Sequence, residues 1–546
     1  MEKIKCHVAD VLNRKFTDAE ITIDNGKINS INECTVPDDA PFAIPGFIDS
    51  HVHIESTLLT PKNYARLAVR QGTIAAVCDP HEIANVLGKE GVDYMLRSAA
   101  KTRFKFAFGV PSCVPSTMFE TAGATLTSDD VEELMATGKF YGLAEMMNFP
   151  GVLMGDSSVK LKIDSALKRG LKVDGHAPGL NSEDSKRYVE AGITTDHEMF
   201  ALNDAQERIN LGQKIQIREG SAACNLNELL PLLKEEKNRG MLMFCTDDKY
   251  PDELMEGYIN KMAATAVANG ADIWNVLEAA CVNPVEHYNL NVGLLREGDD
   301  ADFVLVNDLT GFSVIRTYIN GACVYGGDGD VVTDDTSEAE LNKFNERQVM
   351  PYELQVPWHE GKIQVIEASE GMLYTGKSLV EPKRAADGTV MTDVDNDVLK
   401  IVVVNRYLTR NAAVGFVRGF GLKRGAIAST IAHDSHNLIA VGCTDEEILR
   451  AITTLEKSHG GLCIVDGEEI ETLPLTVAGL MSPENGEIVA RKHIELKRKA
   501  AENGCRFKAP FMTLAFMALP VIPELKITDM GLFDVQKFDF TELCSE

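Results

Sequence analysis

The sequence predicts an α/β protein built on a (β/α)8 TIM-like barrel, with a small β domain assembled from the segments flanking the barrel and an additional C-terminal α+β domain. Three observations carry this expectation. Short apolar runs alternate with longer amphipathic stretches from Ile44 to about Asn283, turn-rich β patterning stands on either side of that region, and a long mixed segment follows. A chain of 546 residues also exceeds what one hydrophobic core usually organises. The expected units are residues 1–43 and 291–355 for the small β domain, 44–290 for the barrel and 356–546 for the C-terminal domain.

In the first segment Ile21-Thr22-Ile23 leads into Asn25-Gly26, a hairpin-turn signal, and Lys27-Ile28 resumes the strand pattern. Barrel strands are expected at 44–50, 73–79, 105–109, 140–145, 171–175, 192–195, 221–224 and 241–246. Eight is the number that closes a barrel of this type. Beyond it, Gly298-Asp299-Asp300-Ala301-Asp302 precedes the apolar run Phe303-Val304-Leu305-Val306, and Ile319-Asn320-Gly321 reads as a second hairpin turn. Gly327-Asp328-Gly329-Asp330 and Asp334-Asp335-Thr336-Ser337 mark a surface loop.

Composition narrows the functional classes. A net charge of −28 repels nucleic-acid phosphates and anionic membranes, so neither is an expected partner, and a small neutral or cationic substrate fits better. The twelve cysteines are scattered singly without a CxxC pair, as in a reduced, cytoplasmic protein. The N-terminus lacks a continuous apolar stretch, and no uncharged apolar run approaches membrane-spanning length. A homodimer or higher homo-oligomer is the default expectation for an enzyme of this size.

The chemistry sits at strand ends. His51 and His53 follow an apolar strand and, being two residues apart, project the same way, so both can grip one metal ion. In a barrel the C-terminal ends of the strands form the active-site rim. There stand Asp79 with His81-Glu82, then Glu145, His176, His197 and Asp247-Asp248, all of them ligand types that divalent first-row metals accept. A lone histidine is more often a structural residue, and a lone aspartate after a strand is often a helix cap. Joint occurrence at successive strand ends is what favours a metal site.

Pro45-Gly46-Phe47-Ile48-Asp49-Ser50-His51-Val52-His53 resembles the opening motif of the amidohydrolase superfamily. Asn283-Pro284, with Val292-Gly293-Leu294-Leu295 and the segment from Gly298 to Leu305, resembles its closing motif. More narrowly, Asp79-Pro80-His81-Glu82-Ile83-Ala84-Asn85-Val86, Ala144-Glu145-Met146-Met147-Asn148, Asp174-Gly175-His176-Ala177-Pro178 and Phe244-Cys245-Thr246-Asp247-Asp248 resemble the bacterial adenine deaminases, along the whole chain. The resemblance implies two divalent metal ions, with His51 and His53 on one, His176 and His197 on the other, Glu145 bridging in place of the carboxylated lysine of many superfamily members, and Asp247 as ligand and proton carrier. Mn or Fe is expected, with Zn also compatible.

The implied reaction is attack of a metal-activated hydroxide on the amino-bearing carbon of adenine, giving hypoxanthine and ammonia in purine salvage. Asp247, Glu145 and His81 are the expected catalytic groups, and His81, Glu82 and Asp248 the substrate-binding ones. Spacing leaves open which of Asp247 and Asp248 points inward; Asp247, nearer the strand end, is preferred. The alternative is another amidohydrolase acting on a cyclic amide, an acetylated amine or a different aminopurine. The H-x-E plus P-C-x-x-C scaffold of other zinc deaminases is excluded, because no P-C-x-x-C follows His53-Ile54-Glu55. Arg418-Gly419-Phe420-Gly421 lacks the pattern of a phosphate loop. For His433-Asp434-Ser435-His436-Asn437 two readings stand, a cluster reaching the barrel mouth or a further metal, and a turn bonded within itself; the second is favoured.

Overall fold

The computed structural model describes residues 1–337 and 339–545. The chain opens as an antiparallel meander of β1 (Glu2–Asp10), β2 (Lys15–Asp24) and β3 (Lys27–Glu33), and β4 (Phe42–Pro45) lies parallel to β1. The β2–β3 turn falls at Asn25-Gly26, with φ of 48° and 80° at the two positions, the left-handed pair that a two-residue hairpin requires.

Next come the parallel strands β5 (Phe47–Val52), β6 (Thr73–Cys78), β7 (Lys105–Phe108), β8 (Gly142–Met146), β9 (Lys172–Gly175), β10 (Thr195–Asp196), β11 (Lys214–Arg218) and β12 (Leu242–Cys245). Ladders join β5 to β6 and β6 to β7, β8 to β9, and β10 through β11 to β12. The bridge of Val110 with Leu143 and the bond from Thr194 N to Val173 O (2.8 Å) connect these groups. At the far side Asp247 N donates to His51 O (2.9 Å) and His53 N to Asp247 O (3.0 Å), bringing the last strand back to the first. This is a TIM-barrel-type α/β unit. β5 and β6 are buried along their whole length, as strands covered on both faces must be.

Then β13 (Phe303–Val306), β14 (Val314–Ile319) and β15 (Ala322–Tyr325) rejoin the N-terminal strands in one sheet of order β15-β14-β13-β4-β1-β2-β3, with the β14–β15 turn at Asn320-Gly321 as expected. The remainder is mixed. A large sheet runs in the order Gly376–Val380, Lys362–Glu367, Ala413–Arg418, Leu399–Val404, Leu438–Gly442, Ala426–Ser429, Gly461–Asp466, Glu469–Pro474, with helices Asp445–Lys457, Gly486–Glu502 and Pro510–Phe516 beside it. Among the described residues no helix is long and apolar enough to cross a membrane.

Two strand expectations are corrected. The run 44–50 is not one strand: the chain passes from the small sheet to the barrel at Gly46, where a Cβ would meet Ile74 Cδ1 at 2.3 Å. The seventh barrel strand is Lys214–Arg218 rather than 221–224. Its alternation Lys-Ile-Gln-Ile-Arg reads as a half-exposed strand, yet Gln216 and Arg218 are fully buried. Residues 221–224 instead form the loop after it, bridged between Glu219 and Cys224.

Candidate metal centre and its surroundings

The residues singled out at the strand ends converge on Glu145. Its carboxylate oxygens stand 3.0 Å from His176 Nδ1, 3.3 Å from His53 Nε2, 3.3 Å from His197 Nε2 and 3.8 Å from His51 Nε2. Asp247 closes the other side, 3.1 Å from His53 Nε2, 3.5 Å from His51 Nε2 and 4.0 Å from His197 Nε2. Burial alone would raise the Glu145 carboxyl. The charge of His176 and its hydrogen bond, with the His197 and His53 imidazoles close by, instead hold it well below the ordinary value.

The strands are locked at this point by Asp49. Its carboxylate accepts from Thr246 Oγ1 (2.5 Å) and Tyr258 OH (2.6 Å), tying the end of β5 to the segment after β12. Burial pushes this carboxyl up to about 6 against those hydrogen bonds.

The donor set fits divalent metal ions. His51 Nε2 and both ring nitrogens of His197 are buried without a hydrogen-bond partner, which costs free energy unless something else coordinates them. Ligand atoms of His51, His197 and Asp247 lie within 4.8 Å of one another, as do those of Glu145, His176 and His197, and those of His53, Asp79, His81 and Glu145. The His51 and His197 rings are stacked at 4.3 Å, so His51 is as close to a histidine of the other expected pair as to His53 (4.9 Å).

His81 lies between Glu145 and Glu82. Its Nδ1 lies 3.1 Å from Asp79 Oδ2 and 3.5 Å from Glu145 Oε1, while its Nε2 lies 3.5 Å from Glu82 Oε1. Asp248 is half-buried beside Asp247 and accepts from Ser56 Oγ at 2.5 Å; desolvation, then the charge of Asp247, raises its carboxyl. Both aspartates therefore face the cavity, and Asp247 is the one among the histidines.

Two groups were missed by the sequence. Arg218, fully buried on β11, donates from Nη1 to Glu198 Oε1 and to Asp247 Oδ2, both at 2.5 Å. Burial would raise Glu198, but Arg218, His176 and His197 lower it. The strand error at 221–224 hid Arg218, while Glu198, adjacent to His197, could have been found by the same strand-end rule that selected its neighbour.

The favoured reading of 433–437 as a self-contained turn is overturned. His433 Nδ1 lies 3.0 Å from Glu82 Oε1, His436 Nε2 contacts Glu82 Oε2, and His433 and Asp434 line a cavity of about 30 Å³ together with His53, Glu145, His176 and Asp247. These bonds run between parts of the chain some 350 residues apart in sequence, which no local pattern encodes. Leu373, Phe516, Leu519 and Ile522 supply the apolar walls. A larger cavity of about 300 Å³ adjoins it, sharing Glu198, Leu373 and Ile522.

Comparison with known proteins agrees with this architecture. The amidohydrolase family matches residues 42–324, and the adenine deaminase C-terminal domain matches residues 373–539. The adenine deaminase of Methanosarcina barkeri (strain Fusaro) is 48% identical over 545 residues, covering 98% of each chain. That of Salinibacter ruber is 46% identical, covering 98% of this chain and 97% of its own. That of Borreliella burgdorferi is 43% identical over 99% of both.

Proposed function

The chain belongs to the adenine deaminase family of amidohydrolases, and from that premise we propose that it hydrolyses adenine to hypoxanthine and ammonia at the Glu145-centred cluster. The observation that carries the assignment to this site is the gathering of four histidines around one buried carboxylate, with Asp247 on the opposite side.

His51, His53, His176, His197, Glu145 and Asp247 would hold two divalent ions. When bound, these supply Lewis acidity that makes hydroxide available from water near neutral pH. Four imidazoles with two carboxylates suit Mn or Fe, and also Zn. Asp247 takes the proton from the attacking water and passes it to the departing amine, so that water and adenine become hypoxanthine and ammonia. Burial would raise its carboxyl, but Arg218 and His197, with the adjacent His51 and His53 imidazoles, hold it ionised and able to accept that proton. His81, Glu82 and Asp248 hold the purine ring. Glu82 is fixed by His433 and His436, which supports a steering role for it at a ring nitrogen.

The strand pairings support a closed eight-stranded barrel entered at Gly46, which moves the first expected boundary from 43 to 45; the proposed units are 1–45 plus 291–355, 46–290 and 356–546. Twelve free cysteines support a reducing, cytoplasmic setting suited to purine salvage. A homo-oligomer remains the default for such an enzyme. The test is ammonia release from adenine by the metal-replete protein, with cyclic amides, acetylated amines and other aminopurines as comparators. No turnover of adenine ends this reading.

A further inference from the structure

Asp434 brings an unsatisfied acceptor into the site from the C-terminal part of the chain. Its side chain is buried at 2% exposure, its Oδ2 has no hydrogen-bond partner, and it lines the same cavity as His53, Glu145 and Asp247. A buried carboxylate oxygen left unpaired is costly, so a ligand that donates to it is favoured.

The loop carrying it is held in place before any ligand arrives. Tyr407 OH donates to Ser435 O (2.6 Å), Asn437 Nδ2 to Thr121 O (3.0 Å), His433 N to Ala515 O (3.2 Å) and Arg406 N to Asn437 Oδ1 (3.1 Å). Phe516 stacks on the His433 ring at 4.5 Å and 15°, giving the cavity a flat aromatic wall beside the acceptor. Leu373, Phe516, Leu519 and Ile522 give this side of the cavity apolar walls, and a heteroaromatic ring can lie against them while donating to Asp434.

His81 sets the direction. Its Nδ1 edge faces Glu145 at 3.5 Å and its Nε2 edge faces Asp434 Oδ2 at 4.0 Å, so Asp434 lies one imidazole width beyond the bridging carboxylate. A purine whose amino-bearing carbon points to Glu145 turns its five-membered ring away from it. That ring carries the N–H of the free base.

We propose that Asp434 accepts a hydrogen bond from the imidazole N–H of the purine and thereby selects free adenine over bases substituted at that nitrogen. This inference rests on the adenine reading of the site. The experiment compares adenine with 9-methyladenine, which keeps the amino group and lacks the N9–H, using the metal-replete wild type, Asp434→Asn and Asp434→Ala. Wild type is expected to prefer adenine by at least about 100-fold in kcat/KM, since a site built around a hydrogen bond rejects the analogue that cannot make it. In Asp434→Ala the adenine value falls to near that of 9-methyladenine, with Asp434→Asn between the two.

Equal use of both substrates by wild type overturns the inference, as does an equal fall for both in the variants, which would mark a merely structural residue. Loss of a metal equivalent on either substitution also overturns it, because Asp434 would then be a cation ligand with His81 and Glu82. Asp434→Asn, which keeps the shape of the side chain, carries the comparison where Asp434→Ala fails to fold. A wild type inactive on adenine sinks the underlying assignment instead.

Discussion

Asp247 holds its backbone at φ 59°, in the left-handed region that asparagine and aspartate tolerate and alanine does not. The choice of substitution therefore matters. Asp247→Asn keeps the backbone and removes the proton carrier, so it should lower kcat by about 10²- to 10⁴-fold. Asp247→Ala adds a backbone cost of about 1 kcal/mol and should melt at a lower temperature than the asparagine variant. Equal melting temperatures, or an asparagine variant of near wild-type rate, would count against this role. Arg218 is the second residue to test. One guanidinium nitrogen serves both Glu198 and Asp247, and removing it takes from two buried carboxylates the strongest cation beside each. Arg218→Met is expected to cost about 3–5 kcal/mol in denaturant unfolding, and Arg218→Lys, which lacks the fork, should recover only part of it. All six proposed metal ligands stood out in the sequence as polar residues at or just beyond expected strand ends, and the family resemblance, not spacing, assigned them as a ligand set. Arg218 did not stand out, since it lies within a strand whose polar positions look solvent-facing.

Among elements, the passage from β4 to β5 fixes where His51 and His53 stand. Gly46 permits it, because any Cβ there strikes Ile74 Cδ1 at 2.3 Å and Cγ1 at 2.4 Å. Gly46→Ala should destabilise the chain by about 1–3 kcal/mol and weaken metal retention, and adding Ile74→Ala should return part of both. Purely additive losses in the double variant would refute the steric explanation. A different device holds the C-terminal wall of the cavity. Lys526, on the strand Leu525–Thr528, donates to Leu373 O and Phe516 O, both at 2.9 Å, and burial lowers its amine to about 7 from 10.5. Between those two values the unfolded chain binds a proton that the folded chain does not, so this residue's contribution to stability rises with pH across that window. The melting temperature of wild type relative to Lys526→Met is expected to climb from pH 7 to about pH 10, and a flat difference would contradict the burial argument. Most barrel strands were readable as apolar runs. The hinge at Gly46 was not, because Ile44 to Ile48 is one uninterrupted apolar stretch apart from Pro45 and Gly46, and only the pairing of Phe42–Pro45 with β1 and β13 divides it.

At the scale of the whole molecule, the C-terminal segment is fastened to the barrel over a wide front, which explains how residues as distant as 82 and 433 come to share one site. Ser482 N donates to Leu58 O (2.8 Å), Asn63 Nδ2 to the carbonyls of Pro483 and Glu484, and Thr121 N to Asp529 Oδ1 (2.8 Å). One buried apolar cluster runs continuously from barrel residues such as Leu59 and Leu67 to Val489 and Phe511. The ionic part of this junction centres on Asp252, which meets His493 Nδ1 at 2.7 Å and contacts Lys497 Nζ. Burial would raise its carboxyl, but the hydrogen bond and charge of His493, with those of Lys497, bring it down to about 2. A lowered folded value means that the pair stabilises the chain fully above the ordinary 3.8 and loses that contribution as pH falls towards 2. With so continuous a core, barrel and C-terminal segment should unfold together. Calorimetry of the metal-loaded protein at neutral pH is expected to show one transition, and Asp252→Asn should shift all of it downward, by about 1.5–3 kcal/mol in unfolding free energy. Two separate transitions, with only the later part of the chain responding to the substitution, would mean that the junction is a contact between independent units and that the site is assembled by docking rather than by folding.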